Sequence, residues 1–165
     1  MSPLHRRPPR SARAAALWLL LPFAVSACGE APAVSPEDQV AIATLLGNYL
    51  PRLADAYRSG DLTILEGLAS EKEIAELDKR ISDLAAEGRD VRPTFESFDI
   101  EDVTVWSHSN AFVTTIEVWD LRVYASGTDQ LLSEVDDQRN RVKYQLKRRE
   151  DGWQVLYRQI VTTFE

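Results

Sequence analysis

Few residue types in this 165-residue chain could do chemistry, and they narrow the choice of reaction at once. Glu117 stands in the run Thr115-Ile116-Glu117-Val118-Trp119, where a period of two sets its carboxylate beside Thr115 and Trp119 on one face of a strand. A carboxylate among aromatics serves as a general base, as a polar handle for a ligand, or as a buried acid that fixes strand register. His108 is the one histidine beyond His5, and it falls in a Ser-His-Ser-Asn turn, where an imidazole is ordinarily solvated rather than poised as a base. Cys28 is the sole cysteine, so the chain can form no intramolecular disulfide, and no paired Cys/His spacing suggests a metal site. There is no Gly-rich phosphate loop and no serine in a nucleophile-elbow pattern. The residues therefore predict no metal, no cofactor and no complete catalytic constellation.

Cys28 has a setting of its own. Residues 1–13 carry Arg6, Arg7, Arg10 and Arg13 and no acid, residues 14–25 are apolar around Pro22, and Val25-Ser26-Ala27-Cys28 closes the run. This is the layout of an export signal. The uncharged stretch contains a proline and falls short of the roughly 20 apolar residues a spanning helix needs, so no transmembrane anchor is predicted. Ordinary cleavage near Ala27 leaves an exposed free thiol in an oxidising compartment, an odd thing to keep. The segment resembles the lipobox of bacterial lipoproteins, in which the cysteine becomes the first mature residue and carries three acyl chains. That resemblance implies a signal peptide over residues 1–27, a tether over 28–34 and attachment to the membrane through acyl chains on Cys28. One chain holds only reversibly at about 0.8 kcal/mol per buried methylene, whereas three hold lastingly. It also implies a cell-envelope location, on the periplasmic face of the outer membrane in a two-membrane bacterium, since Gly29 is not the aspartate that retains such proteins at the inner membrane.

Four of the chain's 19 basic residues and none of its 26 acids precede Cys28, so the remainder carries 15 bases against 26 acids, net −11. An acidic domain lacks the basic face that nucleic acid or anionic headgroups require, and no nucleic-acid partner is expected. Residues 35–165 suffice for one domain held by its core alone.

Ser35-Pro36-Glu37-Asp38 reads as a helix start, with Ser35 accepting from the backbone at Asp38, proline at the first helical position and two acids at the positive end of the dipole. The spacing predicts a helix from Pro36 to Arg58 with Val40, Ala43, Leu46, Leu50, Leu53 and Tyr57 on one face, kinked at Pro51. Asp61 to Leu68 predicts a short second helix. Ser70 to Gly88 predicts a third, with Ile74, Leu77, Ile81 and Leu84 on its stripe and a solvated charged face. Beyond Pro93 the period becomes alternating and β-branched residues take over. Four strands are expected, within Thr94–Trp106, Ala111–Tyr124, Val135–Arg149 and Trp153–Thr163, with a loop over 125–134 and a two-residue turn at Asp151-Gly152. That turn sets Glu150 opposite Trp153, Leu146 opposite Tyr157 and Tyr144 opposite Gln159, and sends Arg158 to water.

Three helices before four long antiparallel strands make an α+β domain whose curved sheet wraps the helices. The segments AYRSGDLTILEGLAS, NAFVTTIEVW and YQLKRREDGWQVLYR resemble the nuclear transport factor 2-like superfamily, a cone with a pocket between the first helix and the concave sheet. The last segment also resembles the small domain of this fold in plastid division proteins. Such motifs specify a scaffold that hosts isomerases, dehydratases, hydrolases, assembly domains and inert binding modules. The superfamily's enzymes place an Asp/His pair or a similar acid and base in the cone, and this chain has no obvious counterpart. The resemblance turns Ala111 and Val113 inward, and alternation then turns Thr115, Glu117 and Trp119 inward too. With Tyr144, Tyr157 and Gln159 of the last hairpin these form the candidate ligand site. A carboxyl there has its pKa raised by desolvation unless a tyrosine hydroxyl or a base pairs with it.

The other face of the same strand carries Phe112, Ile116, Val118 and Tyr124, an apolar outer side that a water-facing sheet would lack. These form the candidate interface, covered by a second copy in a homodimer, by another envelope protein, or by the 125–134 loop. Two functions are thus expected: a non-catalytic lipid-anchored binding or assembly module, with a small apolar ligand as a further occupant of the cone, or alternatively a small hydrolase or isomerase using Glu117.

Overall fold

The structure, a computed structural model, describes residues 34–164. Cys28, the signal-like segment and nearly all of the tether lie outside the described residues. Helix α1 spans Pro36–Ser59, and its start is as the sequence dictates: the Ser35 hydroxyl accepts from Asp38 N–H at 3.1 Å, and Glu37 and Asp38 fill the first turn. Gly60, at φ 72°, ends it by donating to the Ala56 carbonyl at 2.9 Å. The buried stripe is Ile42, Leu45, Leu46, Tyr49, Leu50 and Leu53, whereas Val40 stays 67% exposed. The stripe is thus rotated slightly from the expected one.

The predicted second helix is not a helix, and the domain has two α-helices instead of three. Residues 61–68 make one 3-10 turn at Thr63–Leu65, because the Asp61 carboxylate accepts both the backbone N–H and the hydroxyl of Thr63, at 3.0 and 2.6 Å, and holds a tight turn. The chain then runs beside the last strand: Val155 N–H donates to the Leu68 carbonyl and Ser70 N–H to the Val155 carbonyl, each at 2.8 Å. Helix α2, Glu71–Ala86, starts on Ser70, whose hydroxyl accepts from Glu73 N–H at 3.2 Å. Gly88, at φ 75°, hands the chain to the sheet.

The sheet is a four-stranded antiparallel meander in the order β1-β2-β3-β4, with β1 Arg89–Trp106, β2 Asn110–Ala125, β3 Leu131–Arg149 and β4 Gly152–Phe164. Strands β1 and β3 begin earlier than expected, so the 125–134 loop shrinks to a short connection. Bulges bend the sheet around α1. They fall between Phe95 and Ser97, between Ile100 and Asp102, and opposite Asp120, where Asp137 at φ 54° donates its N–H to the Asp120 carboxylate at 2.9 Å. The α1 stripe packs on Ala111, Val113, Trp119, Val142, Tyr144, Leu146 and Val155 in one core cluster.

The last hairpin departs from the predicted register. Glu150 and Asp151 form the loop, Arg149 pairs Gly152 and Arg148 pairs Trp153, so the turn lies one residue earlier than expected. A bulge at Leu156 then shifts β4 against β3, giving Tyr144 opposite Arg158 and Lys143 opposite Gln159, and a second bulge follows near Val161. One extra residue reverses every side chain beyond it. Trp153 and Val155 point into the core and Arg158 follows them, while Tyr157 and Gln159 point out.

Candidate functional site

Inside the sheet, β2 supplies Thr115, Glu117 and Trp119 by simple alternation, β3 supplies Tyr144, and β4 supplies Arg158. Glu117 and Thr115 are wholly buried, and Arg158 is 9% exposed. Glu117 Oε1 accepts from Thr115 Oγ1 at 3.2 Å and from the Tyr144 hydroxyl, and Oε2 accepts from Trp119 Nε1 at 2.9 Å and Arg158 Nη2 at 2.6 Å. Arg158 Nε also donates to the Tyr144 oxygen at 3.1 Å. Four donors occupy the carboxylate, which offers about four lone-pair sites. No buried side-chain polar atom among the described residues lacks a partner.

The network continues towards α1 and α2. Tyr144 meets Tyr49 edge to face with centroids 6.4 Å apart, and the Tyr49 hydroxyl donates to Glu73 Oε1 at 3.4 Å. Burial pushes the Tyr49 and Tyr144 phenols up, with the nearby carboxylates adding to the effect. Burial alone would lower the Arg158 guanidinium, but Tyr144 and Glu117 outweigh it and hold the cation firmly protonated. Glu73 is raised from the ordinary 4.5, chiefly by burial, against the opposing pull of the Arg158 backbone N–H, of Arg80 and of the Tyr49 hydroxyl.

Of the five predicted ligand-site residues, three meet: Glu117, Trp119 and Tyr144. Tyr157 and Gln159 do not join them, because the Leu156 bulge turns them outward. Arg158, read from the sequence as water-facing, takes their place. The signal that could have found it was Glu117 itself, since a buried carboxylate demands a cation and Arg158 is one residue from the expected inward set. A cavity of about 170 Å³ opens at the mouth of the sheet, lined by Leu53, Tyr57, Trp119, Leu121, Arg158 and Ile160 among others. Glu117 is not among its lining residues.

On the outer face, Ile116 pairs Arg141 of β3, and Arg141 reaches across β2 to Glu101 of β1 with two hydrogen bonds of 2.7 and 2.8 Å. That bridge leaves Ile116 only 9% exposed. The Arg92 guanidinium lies 4.2 Å from the Tyr124 ring centroid, and Val118 is half-buried. Phe112 stays 52% exposed, stacked on Trp106 at 4.4 Å. Much of the apolar outer side is therefore sheltered by the sheet's own arginines, and Phe112 is the large apolar residue of β2 left open.

Among the described residues no His, Cys, Asp and Glu side chains gather in a group of three that could hold a metal ion, and no helix is long and apolar enough to cross a membrane. A family model described as ARC6-like, IMS domain, matches residues 58–156. No curated protein matches the chain by sequence. Among solved structures, the intermembrane space region of the chloroplast protein ARC6 is similar with a TM-score of 0.63 at 12% identity, over 77% of this chain and 98% of that one. A periplasmic fragment of TraM gives 0.50 at 15% identity, over 73% and 94%. An NTF-2 like protein of unknown function from Silicibacter pomeroyi gives 0.45 at 16% identity, over 75% and 96%. At these identities the likeness concerns the fold alone.

Proposed function

The chain belongs to the ARC6-like IMS domain family, and we propose that it is a lipid-anchored cell-envelope domain that binds or assembles without catalysing a reaction. The observation that carries the non-catalytic reading is the saturation of Glu117. Both of its oxygens are held by Thr115, Tyr144, Trp119 and Arg158, so no lone pair is free to take a substrate proton and no edge of the carboxylate lines the cavity. A general base must come within hydrogen-bond reach of the proton it abstracts. A hydrolase or isomerase built on Glu117 would first have to break the Arg158 pair, and no observation favours that alternative.

The ARC6 relative is described as an intermembrane space region of a chloroplast protein, which supports an envelope-facing role here. The export-type segment and Cys28 supply the anchor. A partner protein docks on the outer sheet face at Phe112 and its Trp106 stack, with Ile116, half-buried Val118 and Tyr124 following along the same face of β2. Mass spectrometry of the native N-terminus tests the anchor, and an acylated Cys28 is expected as first residue. A photo-crosslinking side chain at position 112, placed in the full chain in cells, tests the face. One discrete adduct is expected, and an uncrosslinked chain in intact envelopes overturns the docking reading.

A further inference from the structure

The outer face of the sheet is banded by charge, and the bands follow the strands. On one side of β2, register places Asp99 and Asp102 of β1 opposite Ile116 and Thr114, and Glu101, in the bulge between them, reaches over the same face to Arg141. On the other side, Arg139, Arg141, Lys143 and Lys147 of β3 stand opposite Val118, Ile116, Thr114 and Asn110. The outward residues of β4 along this stretch, Gln154, Tyr157 and Gln159, carry no charge. An acidic strand and a basic strand thus flank the largely apolar row of β2, where Phe112 lies open. Of these charges only Arg141 and Glu101 form an ion pair among the described residues. Lys143 and Asp102 share a level, but two strand spacings, about 10 Å, separate their backbones.

We propose that two copies pack these faces together about a two-fold axis parallel to β2, so that β1 of each lies over β3 of the other and the two β2 rows meet. This rests on the outer-face docking reading above and gives that face its occupant, a second copy of the chain. Such a rotation keeps every residue at its own height along the strands. Lys143 then faces Asp102 of the second copy, both being level with Thr114, and the two Phe112 side chains meet on the axis. Lys147 comes over Trp106 of the second copy, both being level with Asn110, and a cation over an indole face is favourable. Aligned sheets pack about 10 Å apart, with their strands within about 30° of each other. The acid excess of the chain does not oppose this contact, because this stretch of the face holds four bases against three acids. The bands also select the axis. A two-fold running across the strands would lay β1 on β1 and β3 on β3, and like charges set face to face exclude such a pairing. An anionic membrane surface would meet the β1 acids together with the β3 bases. The second copy presents an acid to the bases and a base to the acids, at the same strand spacing.

The test is sedimentation equilibrium of the full chain in detergent, comparing the wild type with Lys143→Glu, with Asp102→Lys and with an equimolar mixture of the two variants. Both positions are exposed, so the fold should survive, and urea midpoints check that it does. A wild-type dimer is expected, with a dissociation constant raised about tenfold or more in either variant alone, since each sets like charges face to face twice in the dimer. Mixed, the two variants should regain the wild-type affinity as a heterodimer, because each then supplies the charge that the other needs. No rearrangement within one chain can produce that rescue. Variants that dimerise as tightly as the wild type, or a mixture no tighter than either variant alone, would overturn the proposal. A monomeric wild type overturns it too. If the photo-crosslinker at position 112 then captures a different protein, the docking reading survives and the second copy is lost. A monomer that also stays uncrosslinked in intact envelopes defeats both.

Discussion

Arg158 Nη2 on β4 donates to Glu117 Oε2 on β2 across a gap of 2.6 Å, and Tyr144 on the strand between them bonds to both. Three consecutive strands are thereby tied through one buried ion pair, so the pair reports on sheet integrity. Removing one partner of a buried pair strands the other charge in a low dielectric at about 3–5 kcal/mol. Glu117→Gln should lower stability by about that amount in urea unfolding, and Glu117→Leu with Arg158→Met should cost well below the sum of the two single changes. Additive losses would mean that the two residues are not energetically coupled.

The β4 bulge makes a contrast between neighbours. Arg158→Ala leaves Glu117 without its cation and should cost about 3 kcal/mol or more. Gln159→Ala, one residue along on the outward side, should stay within about 0.5 kcal/mol. The predicted register would have reversed that order. Unfolding midpoints of the two variants decide it, and equal losses would argue against the Leu156 bulge.

How far the sequence could be read is clearest at this hairpin. Both helix starts were legible, because Ser35 and Ser70 cap by local hydrogen bonds that depend on nothing distant. The set on β2 was legible too, since Thr115, Glu117 and Trp119 share one face by an uninterrupted period of two, and the resemblance of the strand entry turned that face inward. The inward set on β4 was not, because a bulge adds a residue without a local signature and depends on what the facing strand offers. The same limit explains the lost second helix: residues 66–69 are drawn alongside Val155 from some 86 positions away, a tertiary contact that outweighs their short-range helical spacing. Of the candidate site, the carboxylate and two aromatics were readable, and its cation was not.

Glu73 gives the fold a pH dependence of known sign. Its folded pKa lies above the ordinary 4.5, chiefly because of burial. The folded state then binds a proton more readily than the unfolded chain. Its contribution to stability is fully present below 4.5 and is lost as pH rises through the raised folded value. Glu73→Gln removes this titration while other groups titrate alike in both proteins. The wild type should therefore gain stability relative to Glu73→Gln when urea midpoints at neutral pH are compared with those near 4.5. A difference that is constant with pH would show that Glu73 is not desolvated.

Gly47 stands on the exposed side of α1, midway along a 24-residue helix, and a Cβ built there meets nothing within 4 Å beyond the backbone of its own helix turns. It sits four residues before Pro51, whose ring crowds the carbonyl at that position. A glycine relieves that turn sterically, yet it leaves the unfolded chain more freedom than alanine would. With open space around the new methyl, the entropic effect should win. Gly47→Ala is expected to stabilise the domain by about 0.5–1 kcal/mol, read as a higher urea midpoint with an unchanged slope. A loss of stability would mean that the glycine is required by the turn around Pro51.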